Sequence, residues 1–276
     1  MSSRQILEFD FPYYKNTKDL IGRLRRQEID GVIFRGFMPA EIAFSRARYL
    51  LANPDIMRNS YCPYGRMYAR TLVGVGHQLD RYFDDAQVFK EECERLFDPE
   101  YNFQSHLENL LLKISGDRQV KVPQGPLGQF YSPVTIRYVQ PGGAIAPHCE
   151  SLYFEAKKPE FKHLHQLAEE TTQFSFFMPM ALPEAGGNLM LYDLDWEESN
   201  HNSNGQSSQA NFRTFLASRE LQTAPNQVNV AIGDLIIFDA GRIWHCVSEV
   251  RGTNPRLTIG GFICFSQDDR TVYYFS

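Results

Sequence analysis

Three side chains in this 276-residue sequence have the types and spacing to hold one metal ion. His148 and Glu150 stand two apart in His148-Cys149-Glu150, so on an extended backbone both point to one face while Cys149 points to the other. Alone the pair says little, because seven histidines and 33 acidic residues in 276 positions yield about one His-x-acid by chance. The third candidate, His245, ends Asp239-Ala-Gly-Arg-Ile-Trp-His, on or just after a β-rich run. Its long separation from the first two suits a barrel that brings strand ends together. Two histidines and a carboxylate on one face of iron leave the remaining cis positions open, which is the geometry of non-haem Fe(II) oxygenases. Arg256 and Thr258 follow on the next expected strand, again two apart and on one face. Arginine offers a planar fork to a carboxylate, and the hydroxyl beside it adds a further donor. It is the combination that is specific, with Gly186-Gly187-Asn188-Leu189 lying between the two halves.

The elements that would position these groups divide the chain. Ile29 to Phe37 reads as a strand, and Pro39 sits where a helix takes its first residue, leading into Glu41 to Leu51. Asp84 or Asp85 can cap a helix running to about Leu96, and Phe103 to Ile114 has helical spacing up to Gly116. Residues 1–118 are thus expected to be mainly helical. From Val122 on, Pro and Gly punctuate short β-rich runs at 134–140, 174–179, 188–193, 227–230, 235–239, 257–266 and 272–275, the rhythm of an antiparallel sandwich or barrel. A helical segment around 159–170 and an Asn/Ser/Gln-rich stretch around 199–209 interrupt that rhythm. The expectation is a single domain over 1–276, with lid segments near 151–172 and 195–226. The polar stretch suits ordinary surface as well as a substrate gate.

Composition bounds the function. A net charge of −5 without a basic run argues against a nucleic-acid backbone as partner and favours a small molecule. The run Val228 to Phe238 is broken by Asn229, Gly233 and Asp234, short of the roughly 20 apolar residues of a membrane span. The N-terminal residues lack the apolar stretch of a secretory signal, so cytoplasmic residence is expected, and no membrane partner. Five cysteines without CxxC spacing suit reduced thiols better than disulfides or structural zinc. Oligomeric state is not readable.

The sequence resembles the carrier-independent iron/2-oxoglutarate oxygenases that include the aliphatic halogenases of hapalindole- and welwitindolinone-type alkaloids. The resemblance is carried by VPQGPLGQFYSPVTIR (122–137), LPEAGGNLMLYDLDW (182–196), FDAGRIWHCVSEV (238–250), PRLTIGGFICFS (255–266) and VYYFS (272–276), and loosely by IDGVIFRGFMP (29–39). It implies a mixed α/β (α+β) fold with a double-stranded β-helix core, a cupin-like jelly roll with flanking helices. It further implies Fe(II) on His148, Glu150 and His245, with 2-oxoglutarate reaching Arg256 and Thr258. O2 would be consumed and succinate and CO2 formed as an unactivated C–H bond is oxidised. One departure matters: the halogenases have glycine where this chain has Glu150, and the missing carboxylate makes room for chloride. The resemblance therefore implies a hydroxylase, or a desaturating or ring-closing enzyme of specialised metabolism, rather than a halogenase.

Other candidates are open to plainer readings. Tyr138, on the strand before His148, could touch 2-oxoglutarate or be a core tyrosine. Trp244 suits core packing over a pocket wall, and among Phe174, Phe176 and Phe177 at least one belongs to the core while another can wall the site. His163 and His165 lie in a helical-looking segment where a spacing of two points rings apart, so a second metal is not expected. Cys149 and Cys246 suit burial as small hydrophobes, and Arg137 and Arg242 fit a substrate anion or ordinary ion pairs equally. The rival reading is a cupin-like isomerase, hydrolase or binding protein, which would have no need of Arg256 and Thr258 at that offset.

Overall fold

The computed structural model describes residues 4–13, 15, 17–57, 59–62, 64–97, 101–151, 158–170, 172–200 and 225–276. In chain order the strands are β1 (Ile6–Asp10), β2 (Gly31–Arg35), β3 (Asn59–Cys62), β4 (Gly65–Tyr68), β5 (Gln119–Lys121), β6 (Thr135–Val139), β7 (Ile145–His148) and β8 (Phe174–Ala181). They continue as β9 (Ala185–Gly186), β10 (Leu189–Asp195), β11 (Asn226–Val228), β12 (Leu235–Phe238), β13 (Ile243–Val247), β14 (Val250–Arg251), β15 (Arg256–Phe265) and β16 (Thr271–Phe275). The longer helices are α1 (Leu20–Arg25), α2 (Ala40–Ala52), α3 (Leu79–Phe97) and α4 (Phe103–Ile114).

Among the described residues, ten strands form one sheet ordered β1-β2-β12-β8-β15-β6-β4-β3, with β16 on β15 and β5 on β16. A second sheet runs β11-β10-β13-β7, and β9 pairs with β14. The expected break near residue 118 is not a break in the large sheet: β1 and β2 join β12, while β3 and β4 join β6. β2 falls within the expected strand Ile29 to Phe37, whereas β3 and β4 lacked a sequence signal because Asn59–Cys62 and Gly65–Tyr68 carry no apolar alternation. The fold is mixed α/β with a predominant β-sheet core.

Alternation along the large sheet assigns each residue to one of two layers. Phe174, Phe176, Met178, Leu257, Ile259 and Ile263 pack with Leu107, Leu110 and Leu111 of α4 and with Phe89 and Phe97 of α3 in the main apolar cluster. On the opposite face, Ile33, Ile236 and Phe238 meet Leu189, Leu191 and Ile243 of the smaller sheet, while Phe262 and Cys264 pack in a separate cluster with Tyr82, Phe83 and Phe161. Each such large side chain, fully buried, contributes roughly 1.5–3 kcal/mol relative to exposure.

The helices correct two boundaries. α3 starts at Leu79, ahead of Asp84 and Asp85, because Tyr82, Phe83, Ala86, Phe89, Cys93 and Phe97 form one buried stripe that extends a turn earlier. Asp85 instead pairs with Arg70 at 2.7 Å. Pro39 is the N-cap of α2 and Ala40 its first residue. α4 matches its expected limits: the Asn102 side chain accepts from Ser105 N–H at 2.9 Å, and Gly116 follows with φ +73°, a left-handed conformation that suits glycine. The 159–170 segment is a 3-10 turn at Pro159–Phe161 and a single helical turn at Leu164–Leu167. Of the two expected lids, residues 152–157, 171 and 201–224 lie outside the described residues. No described helix is long and apolar enough to cross a membrane.

Candidate functional site

His148 and His245 are register partners on neighbouring strands β7 and β13. Their ring centroids lie 4.3 Å apart. Glu150 follows in the turn just beyond β7, its backbone N–H bonded to Ala240 O at 3.0 Å. Cys149 between them turns away into a buried cluster with Leu194, Trp196 and Trp244 on the far side of the smaller sheet. The two-residue spacing therefore works as expected, at a strand end rather than within a strand.

The histidines are oriented alike. His148 Nδ1 lies 2.8 Å from Ala146 O, and His245 Nδ1 lies 2.8 Å from Ile243 O. A carbonyl can only accept, so each Nδ1 carries the proton and each Nε2 lone pair is left to face inward. Glu150 Oε1 lies 3.7 Å from His148 Nε2, and Oε2 lies 3.2 Å from His245 Nε2. The three ligand atoms lie within 4.8 Å of one another. Phe238 packs its ring edge-on to His245 at 5.0 Å. Ser175 Oγ donates to Glu150 Oε1 at 3.1 Å from the large sheet.

Burial opposes ionisation of Glu150, but the adjoining histidines, His245 first, outweigh it and hold the carboxyl well below the usual carboxylate range. Burial would lower the His148 imidazole, yet Glu150 moves it above its ordinary value. A buried carboxylate between two imidazoles with pinned Nδ1 protons is a donor set that fits a divalent iron ion.

The turn between β12 and β13 carries this site. Gly241 O accepts from Cys149 Sγ at 3.2 Å and also from Ser151 Oγ, while Gly241 N–H donates to Gln173 O at 2.7 Å. A Cβ on Gly241 would meet Gln173 O at 2.7 Å, so only glycine permits this approach. Arg242 anchors the turn through Asp239 and Asp195 at 2.8 Å and Asp30 at 2.6 Å, and Arg4 also reaches Asp195 at 2.8 Å. Arg242 is therefore a scaffold residue, not a substrate anchor.

Arg256 and Thr258 are buried at the start of β15, on the face that carries Ser175. The Arg256 guanidinium lies 5.0 Å from the Phe177 ring centroid. Phe177 thus walls this side while Phe174 and Phe176 are core. Tyr138 stands opposite Leu257 and packs on the helix-facing cluster, the other face from Arg256 and Thr258. The contact expected between Tyr138 and 2-oxoglutarate is corrected accordingly: strand register, which the sequence did not supply, puts Arg137 beside Thr258 instead. The Arg137 guanidinium lies 5.4 Å from the Phe262 ring. Trp244 is fully buried, and His163 Nδ1 lies 3.1 Å from Tyr131 OH, away from the triad. Sequence reading missed Ser175 and Gln173. Alternation along Phe174–Pro179 was the signal for the first.

No curated protein matches the chain. Solved structures give the fold: an N-substituted L-amino acid dioxygenase from Burkholderia ambifaria AMMD is 16% identical with a TM-score of 0.54, covering 92% of this chain and 90% of that one. The structure of such a dioxygenase with alpha-KG, from the same organism, is 15% identical with a TM-score of 0.55, over 92% and 89% of the two chains. The model of the family described as carrier-protein-independent halogenase WelO5 matches residues 3–276. With that match over nearly its whole length and a His-Glu-His triad in place, the chain belongs to this family of iron(II)- and 2-oxoglutarate-dependent oxygenases.

Proposed function

We propose that this member of the family hydroxylates, or otherwise oxidises without halogenation, an unactivated C–H bond of a small specialised metabolite or amino-acid-like molecule. The observation that carries the reading is Glu150, whose carboxylate lies between His148 and His245 and occupies the position where a halide would need open space. The two facing sheets are read as a double-stranded β-helix, the jelly roll that brings β7 and β13 together at one end.

Iron would be held by His148, Glu150 and His245, and with 2-oxoglutarate and O2 it supplies the oxidising power for C–H cleavage. The chain's own residues supply position. The Nδ1 anchors at Ala146 O and Ile243 O fix both rings, and Ser175 fixes the rotation of the Glu150 carboxylate. Arg256 and Thr258 form the arm for the distal carboxylate of 2-oxoglutarate, matched by the guanidinium's planar fork. Phe238 and Phe177 border the space with apolar surface that excludes water.

The test is an anaerobic titration of apoprotein with Fe(II) and then 2-oxoglutarate, following the weak visible charge-transfer band of the chelate, repeated with chloride and bromide. The band should form, should disappear in His245→Ala, and should not respond to halide. Glu150→Gly should bind iron more weakly and gain a halide-dependent band shift. A halide response in the unmodified protein would return the reaction to halogenation.

A further inference from the structure

Gln173 is 1% exposed, and neither its side-chain nitrogen nor its oxygen has a hydrogen-bond partner among the described residues. Buried polar atoms are almost always paired, and a carboxamide with both ends orphaned is unusual enough to need a reason. Its position supplies one. Phe174, the first residue of β8, packs into the helix-facing cluster, edge-on to Phe265 at 6.0 Å, so Ser175 turns to the opposite face, with Gln173 just ahead of the strand. Ser175 marks what lies there by reaching Glu150 Oε1 at 3.1 Å. The Gly241 N–H bond to Gln173 O, just before β8 begins, holds this backbone against the turn that supports Glu150. Gln173 is thereby set next to the turn that carries Glu150, its carboxamide with a donor and an acceptor unspent.

We infer that Gln173 is a specificity-determining residue that takes a substrate with its own adjacent donor and acceptor, a lactam or carboxamide edge, in a two-point hydrogen bond. The inference rests on the oxygenase reading above and narrows its substrate class. A lone carbonyl or hydroxyl would satisfy one end of the amide and leave the other bare. A cis-amide edge satisfies both, with its N–H on the Gln173 oxygen and its carbonyl on the Gln173 nitrogen. Bonded in this way, the substrate's nearby carbons lie next to the triad. Sites built to hydrogen-bond a polar group reject analogues lacking it, since their own buried atoms are then unpaired.

The experiment compares the full chain with Gln173→Met, which keeps length and removes polarity. Each is loaded anaerobically with Fe(II) and 2-oxoglutarate and titrated calorimetrically with δ-valerolactam and with cyclohexanone, which has the same ring and carbonyl but no N–H. The unmodified protein should bind the lactam about fivefold more tightly, the worth of one net hydrogen bond. Gln173→Met should lose that preference while keeping the charge-transfer band. Free of ligand, Gln173→Met should also melt roughly 2–4 °C higher, because an unsatisfied amide has been removed from the interior. A lower melting temperature would make Gln173 a structural amide with partners of its own, and that overturns the assignment. So does an absence of lactam preference in the unmodified protein, including binding of neither probe. Failure of the charge-transfer band to form in the unmodified protein would strike the oxygenase reading instead.

Discussion

Ser175 lies on the large sheet and Glu150 in the turn just beyond β7 of the smaller one, and the hydroxyl of the one donates to Oε1 of the other at 3.1 Å. That bond engages Oε1 and leaves Oε2 toward His245, so it fixes the rotation of the carboxylate. Ser175→Ala should weaken Fe(II) binding about tenfold, the usual scale for partners that orient a metal ligand. Ser175→Thr should restore most of it. Equal iron affinity in the alanine variant, measured by anaerobic competition with a chelator, would remove Ser175 from the site's support.

Arg256→Ala should raise the concentration of 2-oxoglutarate needed to saturate the charge-transfer band, with iron affinity unchanged. A charge-assisted bidentate bond is worth about 1.5–3 kcal/mol, so the shift should be tenfold or more. Thr258→Val should give a smaller shift in the same direction. An unaltered requirement in Arg256→Ala would take that role from the arginine.

Arg242 answers three carboxylates and is largely buried. Arg242→Met would leave Asp239, Asp195 and Asp30 without that cation. Breaking one side of a buried pair costs about 3–5 kcal/mol. Urea unfolding should show a loss of that order, and a loss below about 1 kcal/mol would mean the cluster is solvated like an ordinary surface pair.

Asp239 gives the stability a pH signature. Burial pushes its carboxyl up to about 6, against the pull of Arg242, with Asp195 adding to the rise. The folded state therefore keeps this proton after the unfolded chain has released its own near pH 4, and the group's contribution to stability falls as pH climbs from about 4 to 6. Measured as melting temperature against pH, the advantage of the unmodified protein over Asp239→Asn should shrink across that window and level off above it. A gap that widens with pH would reverse the sign.

The candidate metal ligands were legible because their chemistry is written in residue type and short spacing. His148 and Glu150 need only two residues of chain to share a side, and Arg256 and Thr258 likewise. The strands beneath them were less legible. Ile145-Ala-Pro-His is too short, and carries a proline, to announce β7. Tyr138 and Arg137 show a different limit: both lie on β6, and only the register with β15 decides which of them faces the site. Arg242 was ambiguous because two of its three partners, Asp195 and Asp30, come from distant parts of the chain. Gln173 was silent altogether, since a lack of partners is a property of three dimensions.

The pairing of His148 with His245 also bears on how the protein ages. β7 has four residues and, among the described residues, lies at the rim of the smaller sheet, bonded on one side only, to β13. Short rim strands are the first to fray, and frayed rims invite proteases and aggregation. An ion shared by His148 on β7 and His245 on β13 would be a rivet through that rim. Loss of iron would then do more than stop turnover: it would loosen β7 from β13.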